Sequence, residues 1–296
     1  HVFRIPGAPT GTMVADDVTV LPGGKAANAA VVARHLGAPV ALFGWVGDDE
    51  AARAALQGPS AVGVDVGAVT ALRGPTGAAF ILVQPEGDKT IVRVPGANDA
   101  PAADSHEIRT ALQRAAPGSV LIVDAEVPPR VVEATIAAAG QQGVRTVLDP
   151  APPGRVSAEM IESAHIITPD HTAAQALTGT PSDTADGALR AAVALHERGP
   201  SAALVKLAQG GCALAWNAGR GIVEPPPVTV LDTNGAGDAF AGAVAWAIWN
   251  DFGPIDAARA GVAASALATT QRGGQLSPLN RQQFEQLRHR SRFRPA

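Results

Sequence analysis

Apolar runs of four to eight residues alternate with helix-period stretches through the middle of the chain. Residues 119–126 (SVLIVDAE), 145–150 (RTVLDP), 165–170 (HIITPD) and 201–208 (SAALVKLA) predict strands, with helices at 128–142, 157–164, 171–178 and 183–198. Continuous apolar strands spaced by helices suit a parallel sheet covered on both faces, so the predicted core is α/β. Residues 76–97 break this rhythm with two strand-like runs around the turn PEGD, which is hairpin chemistry, and KTIVRV alternates in period two so that one face is wet. Further short strand patterns at 10–20 and 67–73 predict a small antiparallel sheet standing apart from the core, a flap over a ligand or a second subunit. The expectation is one domain over 1–296 with lid strands inserted at about 8–20 and 67–97.

Composition narrows the function classes. The chain has 296 residues, 46% of them hydrophobic, enough for a full core. Its 23 basic and 27 acidic residues give a net charge of −4 without a basic run, which argues against a nucleic-acid partner. No apolar stretch approaches the roughly 18 to 20 residues that span a bilayer, and the N-terminus lacks a signal-peptide layout, so a cytoplasmic protein without membrane contact is expected. Cys212 is the lone cysteine, in the apolar stretch GGCALAW, and reads as a core thiol. The histidines show no zinc spacing, Trp246 and Trp249 read as packing, and Asp48 and Asp49 as a turn and helix cap.

Two glycine turns carry the candidate chemistry. VTVLD (228–232) predicts a strand and GDAFAGAVAWAIW (237–249) a helix, leaving 233–237 as the connection. Gly235 and Gly237 let the backbone approach a ligand, and the free N–H groups and polarity of the opening turn make an anion pocket suited to a phosphoryl group. An isolated Asp238 would merely complement the helix dipole. Beside two glycines, the Asp232 carboxylate and the Thr233 hydroxyl, it predicts a proton acceptor next to an anion hole. A Walker A string is absent, and Phe240 stands where a dinucleotide fingerprint needs its third glycine. The second turn, LPGGKAANAAVVARHLGA (21–38), opens a helix with Lys25 and Asn28 and closes it at Gly37.

Together PGGKAAN (22–28) and DTNGAGD (232–238) resemble the two signatures of the ribokinase family, the phosphofructokinase-B type of carbohydrate kinases. The resemblance runs in family order through VGDD (46–49), PTG (75–77), PGAN (95–98), AEVP (125–128), DPAP (149–152), IITPD (166–170) and TTQRGG (269–274), nearly the whole chain. It implies a three-layer α/β/α core with a β-sheet lid, ATP-dependent phosphorylation of a sugar-like hydroxyl, Mg2+ arriving with the nucleotide, and a homodimer formed through the lid. By the same resemblance Asp238 matches the catalytic base, and Gly235, Ala236 and Gly237 the anion hole. Gly24, Lys25, Asn28 and Glu126 match the sugar pocket, and Asp170, Lys206, Ala208 and Gly211, with Gly237, the ATP site. Asp232, Asn234, Ala268, Gln271, Gly273 and Ser277 match the residues around an activating monovalent cation such as K+.

Three departures from the family pattern stand out. The early aspartate that grips sugar hydroxyls has no match, Asp170 and Ala173 replace an Asn-x-x-Glu pattern associated with magnesium, and Ala26 replaces a pocket glycine. The rival readings are a nucleoside kinase on the same fold, a phosphosugar kinase relying on Arg73, Lys89 and Arg93 of the lid, and a catalytically silent sugar-binding protein.

Overall fold

A computed structural model describes residues 14–83, 89–100, 106–273 and 279–296. The chain first forms α1 (Lys25–His35), β1 (Ala41–Val46), α2 (Glu50–Ala61) and β2 (Asp65–Ala71). β1 and β2 pair in parallel, so β1–α2–β2 is one crossover unit. Asp49 caps α2 by accepting from the Ala52 N–H at 3.1 Å, as read from the sequence.

The hairpin of β3 (Ala78–Val83) and β4 (Lys89–Val94) follows and forms its own antiparallel two-stranded sheet. The alternating units α3 (His106–Gln113), β5 (Val120–Asp124), α4 (Pro129–Gln141), β6 (Arg145–Asp149), α5 (Ala158–Ser163), β7 (Ile166–Ile167), α6 (His171–Thr178), α7 (Ala185–His196) and β8 (Ala202–Lys206) come next. β9 (Cys212–Trp216), β10 (Gly219–Glu224), α8 (Ala236–Trp249), α9 (Pro254–Thr269), α10 (Arg281–Arg290) and β11 (Arg292–Pro295) complete the order. The large sheet runs β11-β10-β9-β8-β7-β6-β5, parallel from β5 to β8 and antiparallel beyond.

Successive strand residues alternate between two cores, which makes the three layers. Val147, Ile166, Leu204 and Leu214 pack with α1, α8, α9 and α10, whereas Leu148, Ile167, Val205 and Ala213 pack with the helices on the opposite face. α8 is buried from Asp238 to Ile248, as an all-round apolar helix should be. It lies so close to α1 that a Cβ on Gly242 would stand 2.5 Å from the Ala29 carbonyl oxygen. That contact fixes the two glycine turns, one at the start of each helix, relative to each other.

Some expected strands take other forms. Residues 67–71, expected in the lid, lie in β2 beside β1, because the crossover through α2 returns them there. Residues 14–20 form no strand, and the rest of that expected lid segment lies outside the described residues, as does the turn PEGD. VTVLD is not a strand either. Pro225, Pro226 and Pro227 precede it without donors for a ladder, and the N–H groups of Leu231 and Asp232 donate instead to the Thr269 carbonyl at the end of α9. ALFGWV, which forms β1, was not foreseen.

Candidate active site

The predicted chemistry converges at the C-terminal edge of the parallel strands, where α/β sheets gather ligand groups. β5 and β6 end on Asp124 and Asp149, which are register partners, and β8 ends on Lys206, bridged to Asp170. From the other side come the starts of α1 and α8. Gly24 precedes α1 at φ 114° and Gly235 precedes α8 at φ 74°, backbone angles that favour glycine.

At α8 the Ala236 N–H reaches Thr233 O only at 3.4 Å, and among the described residues the N–H groups of Gly237 and Asp238 meet no protein acceptor. This is the unsatisfied first turn that an anion requires. Asp238 is 8% exposed, and its Oδ2 accepts from Asn28 Nδ2 at 2.6 Å while Oδ1 lies 3.6 Å from Lys25 Nζ. Lys25 Nζ also donates to Asp149 Oδ2 at 3.4 Å, and Lys206 Nζ stands 3.7 Å from the same oxygen. Asn28 Oδ1 and Asp149 Oδ1 are buried without a protein partner among the described residues, two acceptors waiting for donors.

Burial and mutual charge set the protonation states. Burial raises the Asp238 pKa above the usual carboxylate range, against the pull of Lys25 and the Asn28 hydrogen bond. Asp124 is pushed up to about 7 by burial and by Glu126. Asp149 is equally enclosed, yet Lys206 and Lys25 outweigh its desolvation and hold it below its ordinary value. Desolvation works against the charge of Lys25, and the carboxylates of Asp149, Asp238, Asp124 and Glu126 more than compensate, keeping it cationic.

Lys25, Ala26, Asp124, Asp149 and Asp238 line one cleft, so the Ala26 methyl does stand in its wall. Glu126, in the β5–α4 loop, donates its N–H to Asp124 Oδ1 at 2.8 Å and pairs with Arg93 of the lid strand β4 at 2.9 Å. Beneath the lid its two roots interlock, since a Cβ on Gly77 would meet Asn98 Nδ2 at 2.6 Å and one on Gly96 would meet Pro75 O at 2.5 Å. A wider pocket of about 260 Å³, against Arg145, His165 and Trp216 at the opposite end of the strands, holds none of these groups.

The remaining sequence candidates are scattered more widely. Asp170 is exposed and caps α6, accepting from the Ala173 N–H at 2.7 Å. Ala208 sits on the exposed rim beyond β8, and Gly211, at φ 79°, is pressed against Val223 O, where a Cβ would stand 2.4 Å away. Asp232 gathers N–H groups from Asn234 at 2.9 Å and Gly273 at 3.1 Å. Ala268 O accepts from the Gln271 N–H at 3.2 Å, Gln271 Oε1 is buried without a partner among the described residues, and Ser277 lies outside them.

The pfkB family carbohydrate kinase model matches residues 4–281. The chain belongs to that family of carbohydrate kinases. Like its other members it is a phosphotransferase with an alcohol acceptor. It is 31% identical to the ribokinase of Haemophilus influenzae over 293 residues, covering 98% of this chain and 95% of that one. The crystal structure of ribokinase from Thermotoga maritima superposes with a TM-score of 0.80 at 28% identity, over 96% of this chain and 92% of the other. Ribokinase of Arabidopsis thaliana, solved with ribose and ATP, gives 0.81 at 27% identity over 94% and 90%. The family's fold, a layered α/β core with a small separate antiparallel sheet, is the one observed.

Asp124 and Asp149 were not singled out as site residues, although the signal was present. Four successive strand segments, LIVD, TVLD, ITPD and LVK, each end an apolar run on a charge. In a parallel sheet those ends fall on one edge. The Arg93–Glu126 link across the lid carried no such signal, because nothing in the sequence pairs residues 33 apart.

Proposed function

We propose that the protein transfers the γ-phosphoryl group of ATP to a hydroxyl of ribose or a closely similar sugar. The observation that carries this is the Asp238 carboxylate, held by Asn28 and Lys25, beside the Gly237 and Asp238 N–H groups at the start of α8, which meet no acceptor among the described residues. The sugar O–H bond breaks with its proton passing to Asp238, the freed oxygen bonds to phosphorus, and the bond to the ADP oxygen breaks with its electron pair. The amides of Gly235, Ala236 and Gly237 absorb the charge on the phosphoryl oxygens. Two buried acceptors, Asn28 Oδ1 and Asp149 Oδ1, suit the hydroxyl donors of a sugar; Lys25 lines the same cleft, and Glu126 and Gly24 are assigned to the sugar by the family resemblance. The relative solved with ribose and ATP supports both substrates.

Among the described residues no group of three His, Cys, Asp or Glu could hold a metal ion, and Ala173 stands where the family has its glutamate. Mg2+ would enter as a partner of the nucleotide phosphates. The oxygens of Asp232 and Gln271, the latter with an Oε1 that has no partner among the described residues, fit a hard monovalent cation such as K+. Phe80, Ile81, Leu82, Val83 and Ile91 are exposed on the hairpin, which supports a homodimer formed through the lid. No helix among the described residues is long and apolar enough to cross a membrane.

ADP release from ATP, measured against a panel of pentoses, hexoses and nucleosides with the product identified by phosphorus NMR, tests the assignment. Turnover with ribose-like sugars is expected. Turnover with nucleosides alone, or none above the ATPase background, overturns it.

A further inference from the structure

Lys206 ends β8 with its ammonium beside the anion hole, and among the described residues it is only loosely held. Its Nζ lies 3.3 Å from where a Cβ on Gly237 would stand and 5.9 Å above the centre of the Phe240 ring. Among the described residues its ion pair is with Asp149, at 3.7 Å, beyond hydrogen-bonding distance. The side chain is only 14% exposed. A largely buried ammonium with three donors and, among the described residues, no acceptor within hydrogen-bonding distance is well placed to receive an anion.

Asp149 explains how the charge is kept there. Its Oδ2 faces Lys25 at 3.4 Å and Lys206 at 3.7 Å, a single oxygen shared loosely by two cations, while Oδ1 has no partner among the described residues. With Asp238 added, two lysines face two carboxylates beside the anion hole, with Asp124 and Glu126 also acting on Lys25. Incoming phosphoryl oxygens would add negative charge beside Gly237, where the Lys206 ammonium lies 3.3 Å from the Cβ position.

We propose that Lys206 is a catalytic residue that donates hydrogen bonds to the transferring γ-phosphoryl group, and that Asp149 is a positioning residue that holds its ammonium ready over Gly237. This rests on the kinase reading of the same site. Lys206 keeps all its protons through the step; the sugar proton still goes to Asp238 and the electron pair of the broken P–O bond to ADP.

Three variants test it: Lys206→Met, Lys206→Arg and the double variant Lys206→Met with Asp149→Asn. Lys206→Met is expected to lower kcat by about 10²- to 10³-fold, the loss typical of removing one charge-stabilising donor, with the sugar KM within about threefold and Lys206→Arg within about tenfold of wild type. The double variant should stay as slow as Lys206→Met. If it recovers wild-type turnover, Lys206 only neutralises Asp149 and the proposal fails. It fails too if Lys206→Met alone keeps its kcat. A second readout needs no turnover, so it separates this proposal from the kinase reading. Calorimetry with the β,γ-imido analogue of ATP and with ADP should show Lys206→Met weakening the analogue by about tenfold and ADP hardly at all, as expected for one charge-assisted bond to the γ-phosphate. Equal weakening of both, or of neither, overturns it. An inactive wild type would instead overturn the kinase reading.

Discussion

Asp238→Asn isolates proton acceptance from everything else the side chain does. The asparagine oxygen can still accept from Asn28 Nδ2, the 2.6 Å bond that ties α8 to α1, and the volume is unchanged. Lys25 loses a carboxylate 3.6 Å away but keeps Asp149 at 3.4 Å, so the cluster should hold together. What disappears is the base. General-base removal costs about 10²- to 10⁴-fold, which at 1.36 kcal/mol per decade is about 2.7 to 5.4 kcal/mol of transition-state stabilisation. Burial makes this carboxylate more basic than an ordinary aspartate, which places the loss in the upper half of that range. A coupled ADP-release assay at saturating ATP and sugar reads kcat directly, with the ATP KM expected within about threefold of wild type. The raised pKa also means that wild-type activity falls on acidification above the usual carboxylate range, and the variant should lose this acid limb. A folded variant with kcat within threefold of wild type would refute the assignment of Asp238 as base.

Three further outcomes follow from the geometry. Gly242→Ala forces a methyl to within 2.5 Å of Ala29 O, so α1 and α8 must part, at a cost of about 1–3 kcal/mol and roughly 2–12 °C in melting temperature; an unchanged calorimetric melt would show the contact to be slack. Asp124 binds its proton more tightly folded, at about 7, than in the unfolded chain near 3.8, so stability falls as pH rises through that window, with a ceiling of about 4 kcal/mol. Asp124→Asn should therefore be more stable relative to wild type at pH 8 than at pH 5 in urea titrations, and the reverse order would sink the account. Replacing Na+ by K+ should raise turnover through the Asp232 and Gln271 oxygens, and equal rates in the two salts would remove that site.

Legibility in the sequence followed how local the physics is. The strands from 119 to 208 and their helices could be read because apolar runs and helix periods are properties of short windows, and the glycines at 24 and 235 because only their backbone freedom permits those turns. VTVLD misled because its β-branched residues favour extension, whereas pairing is decided by neighbours, and the three prolines before it and the Thr269 carbonyl took those roles away. Residues 67–71 misled for a related reason: strand character is visible locally, but membership of a sheet is settled by the path of α2. The same division runs through the site. Asp238 and its amides are contiguous and could be named from one heptapeptide. The four-charge cluster of Lys25, Asp149, Lys206 and Asp238 brings together residues as far as 213 apart in number, and no window contains it. Its internal balance has a consequence that a motif cannot express. Each lysine is held by a carboxylate that substrate chemistry also needs, so changing one charge shifts the protonation and placement of the other three, and effects of substitutions within the cluster should be strongly non-additive.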